Sequence, residues 1–143
     1  TLASGGRWQA SLHAAAERGA FLYGECGGYM ALGRSLIDRD GHPHRMTGLL
    51  PVVTSFAEPR LHLGYRQIEL VQRNALGNAG APWRGHEFHY AREIERAGEP
   101  LFRVRHTREV QATERGSRVG NVAGSFLHLI DRASRRTPSQ GAG

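Results

Sequence analysis

The segment YGECGGYM at residues 23–30 decides the fold of this protein. The apolar run before it, residues 20–23, has the length and aromatic content of a buried strand. Residues 29–32 then return to an apolar pattern that is typical of a helix. Cys26 therefore falls on a strand-to-helix turn that is rich in glycine. This is the geometry of a nucleophile elbow, in which the side chain at the turn is left accessible.

The chemistry of such a turn favours a reactive cysteine. The amides and dipole of the following helix stabilise a thiolate, so we expect the pKa of Cys26 to lie below its ordinary value of about 8.5. The amides of Gly27 and Gly28 are placed to stabilise an oxyanion. A lone cysteine is more often a small buried apolar residue. The string by itself leaves both interpretations open.

A thiol nucleophile needs a base, and histidine is the side chain best suited to that role near pH 7. Of the eight histidines, His128 is the one that ends an apolar stretch. We predict that residues 122–128 form one last buried strand. Ligands gather at the carboxyl ends of strands in open α/β sheets, so His128 is the candidate base. The alternative is a histidine satisfied within the core.

The remaining elements follow from hydrophobic periodicity and turn residues. The predictions are an amphipathic helix over residues 8–16 that ends at Gly19, a hairpin tip at 37–42, an extended segment within 46–56, a half-exposed strand over 61–70 paired with 84–91, a strand at 102–105, and a polar, disordered tail over 132–143.

Composition excludes several classes of protein. The net charge is +6 and the pI is near 10.6, but the arginines alternate with acids and lysine is absent, which favours a solvated surface over a nucleic-acid site. A single cysteine excludes an intrachain disulfide and a thiolate zinc site. No signal peptide or membrane span is predicted. We expect a cytoplasmic protein that binds neither nucleic acid nor membrane.

Two segments together resemble a known family. Residues 23–30 and GSFLHLID at residues 124–131 are similar to the two active-site blocks of the cobyrinic acid synthase branch of class I glutamine amidotransferases. The resemblance spans residues 8–131. LHLGYR at residues 61–66 and GHEFHY at residues 85–90 look closest to the C-terminal amidotransferase domain of the cobyrinic and hydrogenobyrinic acid a,c-diamide synthases.

The resemblance implies a fold and a reaction. The fold would be α/β and flavodoxin-like, a largely parallel sheet flanked by helices, here truncated at its N-terminus. Residues 1–131 would be the glutaminase domain of a longer synthase, in which Cys26 attacks the side-chain amide of glutamine and His128 activates the thiol. The ammonia would amidate the a and c carboxylates of a corrin that an ATP-binding synthetase domain has phosphorylated.

The same resemblance assigns the cofactors to another part of the synthase. ATP and Mg²⁺ are expected in the synthetase domain, because a chain without lysine has no P-loop lysine. Glutamine and, through the synthetase domain or subunit, the corrin are the expected partners. The rival hypothesis is a non-catalytic module that only binds a synthetase partner. A thiol-protease-like hydrolase is a more distant rival hypothesis.

One departure from the wider class concerns the residue that orients the histidine. Class I amidotransferases carry a glutamate two residues after it, where this chain has Ile130. Asp131 and Glu87 are the candidates for that role, and His89 is a candidate pocket residue. His86 and His89 would face opposite sides of a strand, so no metal site is predicted.

Overall fold

A computed structural model describes residues 2–106 and 111–133. The described part contains two helices and twelve strands. In chain order they are α1 Leu2–Glu17, β1 Leu22–Glu25, α2 Gly27–Leu32, β2 Ser35–Ile37, β3 Pro43–Arg45, β4 Val52–Ser55, β5 His62–Leu70, β6 Pro82–His89, β7 Arg92–Arg96, β8 Phe102–His106, β9 Thr113–Arg115, β10 Ser117–Val119, β11 Val122–Ser125 and β12 Leu127–Arg132. Neither of these helices has the length and apolar content that a membrane-spanning helix needs.

The strands form three sheets, with orders β1-β11-β10, β12-β6-β5-β8-β9 and β3-β2-β4-β7. The α/β class is confirmed, but a largely parallel sheet is wrong for the described residues. There, β1 pairs with β11 and β2 with β4 in parallel, and the other strand pairings are antiparallel. Parallel pairs need long crossover connections, usually helical, and most strands here are joined without a helix.

Several predicted elements are confirmed with shifted ends. The first helix ends before Gly19, whose φ is 81°, and the hairpin tip between β2 and β3 has Gly41 at φ 86°. The strand predicted over residues 61–70 is β5, and its burial alternates along the first six residues. It pairs antiparallel with β6, as expected, with Tyr65 opposite His86. Strong local periodicity made these elements predictable.

The prediction of one strand over residues 122–128 is wrong, because the chain changes sheets at Phe126. β11 pairs with β1, whereas β12 pairs with β6. The Phe126 ring is 4% exposed and lies edge-on to Tyr29, with ring centroids 5.3 Å apart. The N–H of Leu127 donates to Ser125 Oγ at 3.0 Å, which stabilises the bend. His128 consequently lies on β12 and not at the end of β11.

Two apolar cores meet at this bend. One surrounds the elbow and includes Tyr29, Leu50 and Phe126. The other lies against the five-stranded sheet and includes Phe102 and Leu127. Each large apolar side chain that is fully buried contributes about 1.5–3 kcal/mol to folding. Because Phe126 and Leu127 belong to different cores, the segment that leads to His128 is held from both sides.

The tail predicted over residues 132–143 is described only at its start. Arg132 is the last residue of β12, and its guanidinium lies 5.5 Å from the ring centroid of Trp83. Residues 134–143 lie outside the described residues, so the disordered tail stays a prediction.

Candidate active site

Cys26 has the backbone conformation of an elbow residue. Its φ is 52° and its ψ is −107°, and it is the one non-glycine residue with positive φ within residues 2–106 and 111–133. Such a conformation costs of order 1–3 kcal/mol and is found mainly at functional sites. A Cβ at Gly24 would lie 2.6 Å from the carbonyl carbon of Gly28. The sharp turn therefore needs glycine at position 24.

The two glycines after Cys26 differ from Gly24. A Cβ at Gly27 or Gly28 would meet nothing within 4 Å, and neither residue has a positive φ. Packing therefore does not require glycine at either position. Both begin α2, where the backbone N–H groups of a first helical turn have no partner within the helix. Both glycines are exposed, so the start of α2 is accessible.

The expected lowering of the Cys26 pKa is wrong in direction. Burial raises the pKa of the thiol, the backbone N–H of Gly27 lowers it, and the negative charge of Glu25 raises it further. The net effect is a raised pKa, because desolvation of the thiolate outweighs the hydrogen bond from Gly27. Cys26 is thus a partly buried free thiol that would need a base to ionise at neutral pH.

His128 lies on β12, in a different sheet from β1, and contacts the residue before Cys26. The N–H of Cys26 donates to the carbonyl oxygen of Ser125 at 2.9 Å, so the elbow is bonded to the segment that leads into β12. The imidazole of His128 is 45% exposed, and its Nδ1 is 3.8 Å from Glu25 Oε1. The two predicted catalytic residues are therefore brought to the same end of the β1–β11 pair.

Glu25 is a site residue that the sequence reasoning missed. Its Oε2 accepts hydrogen bonds from the N–H of Leu129 at 2.8 Å and from the Tyr23 hydroxyl at 3.1 Å. Its position at the carboxyl end of β1, directly before Cys26, was a signal available in the sequence. The contacts of Glu25 with β12 could not be read from the sequence, because they join residues far apart along the chain.

Asp131, a predicted orienting residue, contacts a different partner. Its carboxylate accepts two hydrogen bonds from Arg84, one of them from Nε at 2.8 Å. The pair lies across β12 and β6, where Asp131 is the partner of Arg84 in the strand register. The Asp131 carboxylate is therefore ion-paired with Arg84 on the exposed side of the sheet. The structure does not place Asp131 beside His128.

Glu87, the other candidate, faces away from His128. In the register of β12 and β6, His128 lies opposite His86 and Leu127 lies opposite Glu87. Because side chains alternate along strands, Glu87 and His128 occupy opposite faces of the sheet. Glu87 is 1% exposed, with its oxygens 3.0 Å from Arg66 Nε and 2.7 Å from His89 Nε2. It is not positioned to orient His128 directly.

The buried network around Glu87 is strongly ionic. Burial tends to raise the pKa of the Glu87 carboxyl, but the hydrogen bond from His89 and the charges of Arg115 and Arg66 lower it to about 2. His89 Nδ1 lies 2.8 Å from the carbonyl oxygen of Ala91. Both ring nitrogens of His89 thus face oxygen atoms. His89 also stacks on Phe126, with centroids 4.1 Å apart.

The same network has the composition of a metal site. His62, Glu87 and His89 place ligand atoms within 4.8 Å of one another, and the buried His62 Nε2 has no hydrogen-bond partner in the described part of the chain. The guanidinium groups of Arg66 and Arg115 already bind the Glu87 oxygens. Their positive charge opposes a divalent cation, so the arrangement fits an ion network better than a metal centre.

A surface depression lies away from the elbow. It has a volume of about 880 Å³ and is located over β5, β6 and β8, where Arg84, Arg103 and Arg105 contribute to its lining. Neither Cys26 nor His128 contributes to that lining. At the elbow itself, Gly27 and Gly28 are exposed and Cys26 is partly buried.

Sequence comparisons relate this site to known proteins. Residues 2–135 match the CobB/CobQ-like glutamine amidotransferase domain family. The chain is 50% identical over 135 residues to the hydrogenobyrinate a,c-diamide synthase of Brucella anthropi, covering 91% of this chain and 29% of that protein. The corresponding synthase of Rhodobacter capsulatus is 45% identical over 129 residues, covering 90% of this chain and 29% of its own length. The chain thus spans about three tenths of the length of these curated relatives.

Proposed function

We propose that this chain, which belongs to the CobB/CobQ-like glutamine amidotransferase domain family, hydrolyses glutamine. In this role it would be the glutaminase part of a hydrogenobyrinate or cobyrinate a,c-diamide synthase. The observation that carries this proposal is the positive φ of Cys26 at a strand-to-helix turn whose preceding residue, Glu25, lies 3.8 Å from His128. Thiol-dependent amide hydrolysis needs an accessible cysteine and a base that can take its proton.

In the proposed reaction, Cys26 Sγ attacks the side-chain carbonyl carbon of glutamine while His128 takes the thiol proton. The oxyanion of the tetrahedral intermediate lies at the start of α2, where the amides of Gly27 and Gly28 donate to it. Collapse breaks the C–N bond, and His128 returns the proton to the departing ammonia. A water, deprotonated by His128, then cleaves the glutamyl thioester, which releases glutamate and restores the thiol.

Two features of the site support these roles. The raised pKa of Cys26 makes a base necessary, and His128 is held on β12 at the end of β1 that carries the elbow. Gly27 and Gly28 are exposed, which leaves the start of α2 accessible to the amide of a substrate. Glycine at these positions is not required for packing, so substrate access is a reason for it.

The ammonia would be used by the synthetase portion of the relatives. In that scheme ATP and Mg²⁺ act in the synthetase domain or subunit, and the amidated acceptor is the corrin of cobalamin biosynthesis, with or without cobalt. This chain supplies ammonia and uses no cofactor of its own. A cytoplasmic setting belongs to the same proposal, because the reaction depends on ATP.

The test is glutamate release from glutamine by this chain, alone and with the synthetase portion of a relative. Cys26→Ala is expected to reduce release by more than about 10³-fold, and His128→Ala by a comparable factor. Tyr90→Phe, a change on the exposed surface, is the matched control and should leave the rate unchanged.

Equal glutamate release from wild type and Cys26→Ala would contradict the proposal. If the folded wild-type protein releases no glutamate under either condition, the remaining hypothesis is a module that binds a synthetase partner without catalysis. Cleavage of peptides without hydrolysis of glutamine would favour a hydrolase of the thiol-protease type instead.

A further inference from the structure

The carboxylate of Glu25 bridges the two strands that carry the candidate catalytic residues. Its Oε2 accepts the backbone N–H of Leu129, which directly follows His128 on β12, at 2.8 Å. The Tyr23 hydroxyl donates to the same oxygen at 3.1 Å. These two bonds leave Oε1 directed towards His128 Nδ1, 3.8 Å away. One carboxylate is therefore attached to β12 and faces its histidine.

This arrangement restricts the distance between nucleophile and base. Glu25 is covalently adjacent to Cys26, so its backbone moves with the elbow. Its side chain is bonded to the backbone of the residue after His128. The backbone of Leu129 is also held by the pairing of β12 with β6, in which Leu129 lies opposite Gly85 just before a bulge. The hydrogen bond between Glu25 and Leu129 therefore limits how far the elbow can move from the strand that carries His128.

No other carboxylate in the described part of the chain lies within ion-pair distance of His128. Asp131 is bound to Arg84, and Glu87 belongs to the buried network on the opposite face of the sheet. Both were plausible from the sequence, because each is close to a histidine along the chain. Glu25 is the acid that the tertiary structure places beside the imidazole.

We propose that Glu25 is the positioning residue for His128, accepting a hydrogen bond from Nδ1–H so that Nε2 is free to take the thiol proton. The role deepens the glutaminase function proposed above and rests on it. The separation of 3.8 Å is long for a hydrogen bond. Such contacts are often long in unliganded enzymes and shorten when substrate is bound. A carboxylate that selects the correct histidine tautomer accelerates related hydrolases strongly.

The first test compares Glu25→Gln with Asp131→Asn. Glutamine keeps an oxygen that can accept the Leu129 N–H, so the change removes the charge and preserves the shape. We expect kcat of Glu25→Gln to fall at least about tenfold and as much as about 10⁴-fold, with KM for glutamine within about twofold of wild type. Asp131→Asn is the matched control, because that carboxylate is bound to Arg84, and its kcat should not change.

The result that overturns the proposal is a kcat for Glu25→Gln within about twofold of wild type, since a purely structural bond to Leu129 would survive in that variant. An effect confined to KM would overturn it equally. Equal losses of kcat in Asp131→Asn and Glu25→Gln would mean that the effect is not specific to Glu25. That result would also contradict the proposal.

A second measurement separates failure of this inference from failure of the proposed function. Long-range ¹⁵N NMR of the full chain reports the tautomer of His128, whose signals are assigned with His128→Ala. We expect the Nδ1–H form in wild type and a shift towards the Nε2–H form in Glu25→Gln. If wild type hydrolyses no glutamine, the glutaminase proposal fails, and the tautomer still decides the role of Glu25. The same tautomer in both proteins would refute that role.

Discussion

Cys26 donates its backbone N–H to the carbonyl oxygen of Ser125 at 2.9 Å. Ser125 ends β11, and the bend at Phe126 follows it before β12 begins. The bond therefore joins the elbow directly to the segment that carries His128. The geometry of the candidate site depends on close packing around this junction, and the predictions below test that packing and its electrostatics.

The first prediction concerns Gly24. A Cβ at this position would lie 2.6 Å from the carbonyl carbon and 2.7 Å from the carbonyl oxygen of Gly28, both of them backbone atoms. We expect Gly24→Ala to reduce the free energy of unfolding by about 1–3 kcal/mol, because the elbow must open to accept the methyl group. Urea denaturation followed by circular dichroism measures the change.

Gly27→Ala is the matched control for this effect. A Cβ there meets nothing within 4 Å, and alanine has the higher helix propensity. We expect a free energy of unfolding equal to wild type, or higher by up to about 1 kcal/mol. Equal stability of Gly24→Ala and Gly27→Ala would show that the close approach at Gly24 is not needed.

The reactivity of Cys26 should follow its raised pKa. The thiolate is the reactive species, so the alkylation rate with iodoacetamide is expected to rise with pH through a midpoint above the ordinary thiol value of about 8.5. Cys26 is the only cysteine, so Cys26→Ala gives the background rate. Glu25→Gln should lower the midpoint, because it removes a negative charge that raises the pKa. A midpoint below about 8.5 in wild type would mean that stabilisation of the thiolate exceeds desolvation.

The buried Glu87 predicts a dependence of stability on pH. Its folded pKa, about 2, is below the value of 4.5 for an unperturbed glutamate, so its ionised form stabilises the folded state at pH above that ordinary value. This contribution, on the order of 3 kcal/mol, is lost as pH falls from about 4.5 towards about 2. We expect Glu87→Gln to be less stable than wild type at pH 7 and to show a smaller decrease over that range. Urea unfolding at several pH values measures both effects.

A control for this prediction is Glu95→Gln. Glu95 forms an exposed ion pair with Arg34, and exposed pairs contribute about 0–1 kcal/mol. Its pH profile should resemble that of wild type. If Glu87→Gln has the same stability and pH profile as wild type, the ionic network does not stabilise the fold.

The hydroxyl of Tyr29 is expected to contribute to stability. Tyr29 is 0% exposed, and its hydroxyl donates to Glu93 Oε1 at 2.9 Å. Tyr29→Phe keeps the ring that packs against Phe126 and removes this hydrogen bond. We expect a loss of about 1–2 kcal/mol, because a partly buried carboxylate oxygen loses its donor. Thermal unfolding compares it with Tyr90→Phe, whose exposed hydroxyl should contribute nothing measurable.

The parts of the fold that were predictable depend on short stretches of chain. The elbow at Cys26, the alternation along β5 and its pairing with β6 follow from glycine placement and from periodicity over a few residues. The break between β11 and β12 was missed, because Phe126 in an apolar run looks like the continuation of a strand. Only its packing against Tyr29 and His89 shows that the chain bends there.

Some features of the candidate site likewise follow from short stretches of sequence, and others depend on the tertiary structure. The strand-to-helix turn at Cys26 and the choice of His128 as a candidate follow from the sequence, since glycine freedom, strand length and residue type are local properties. Tertiary structure alone decided which acid faces His128, the direction of the Cys26 pKa and the ionic environment of Glu87. Burial and the position of opposing charges depend on residues that are distant along the chain, and these interactions exist only once the sheets are assembled.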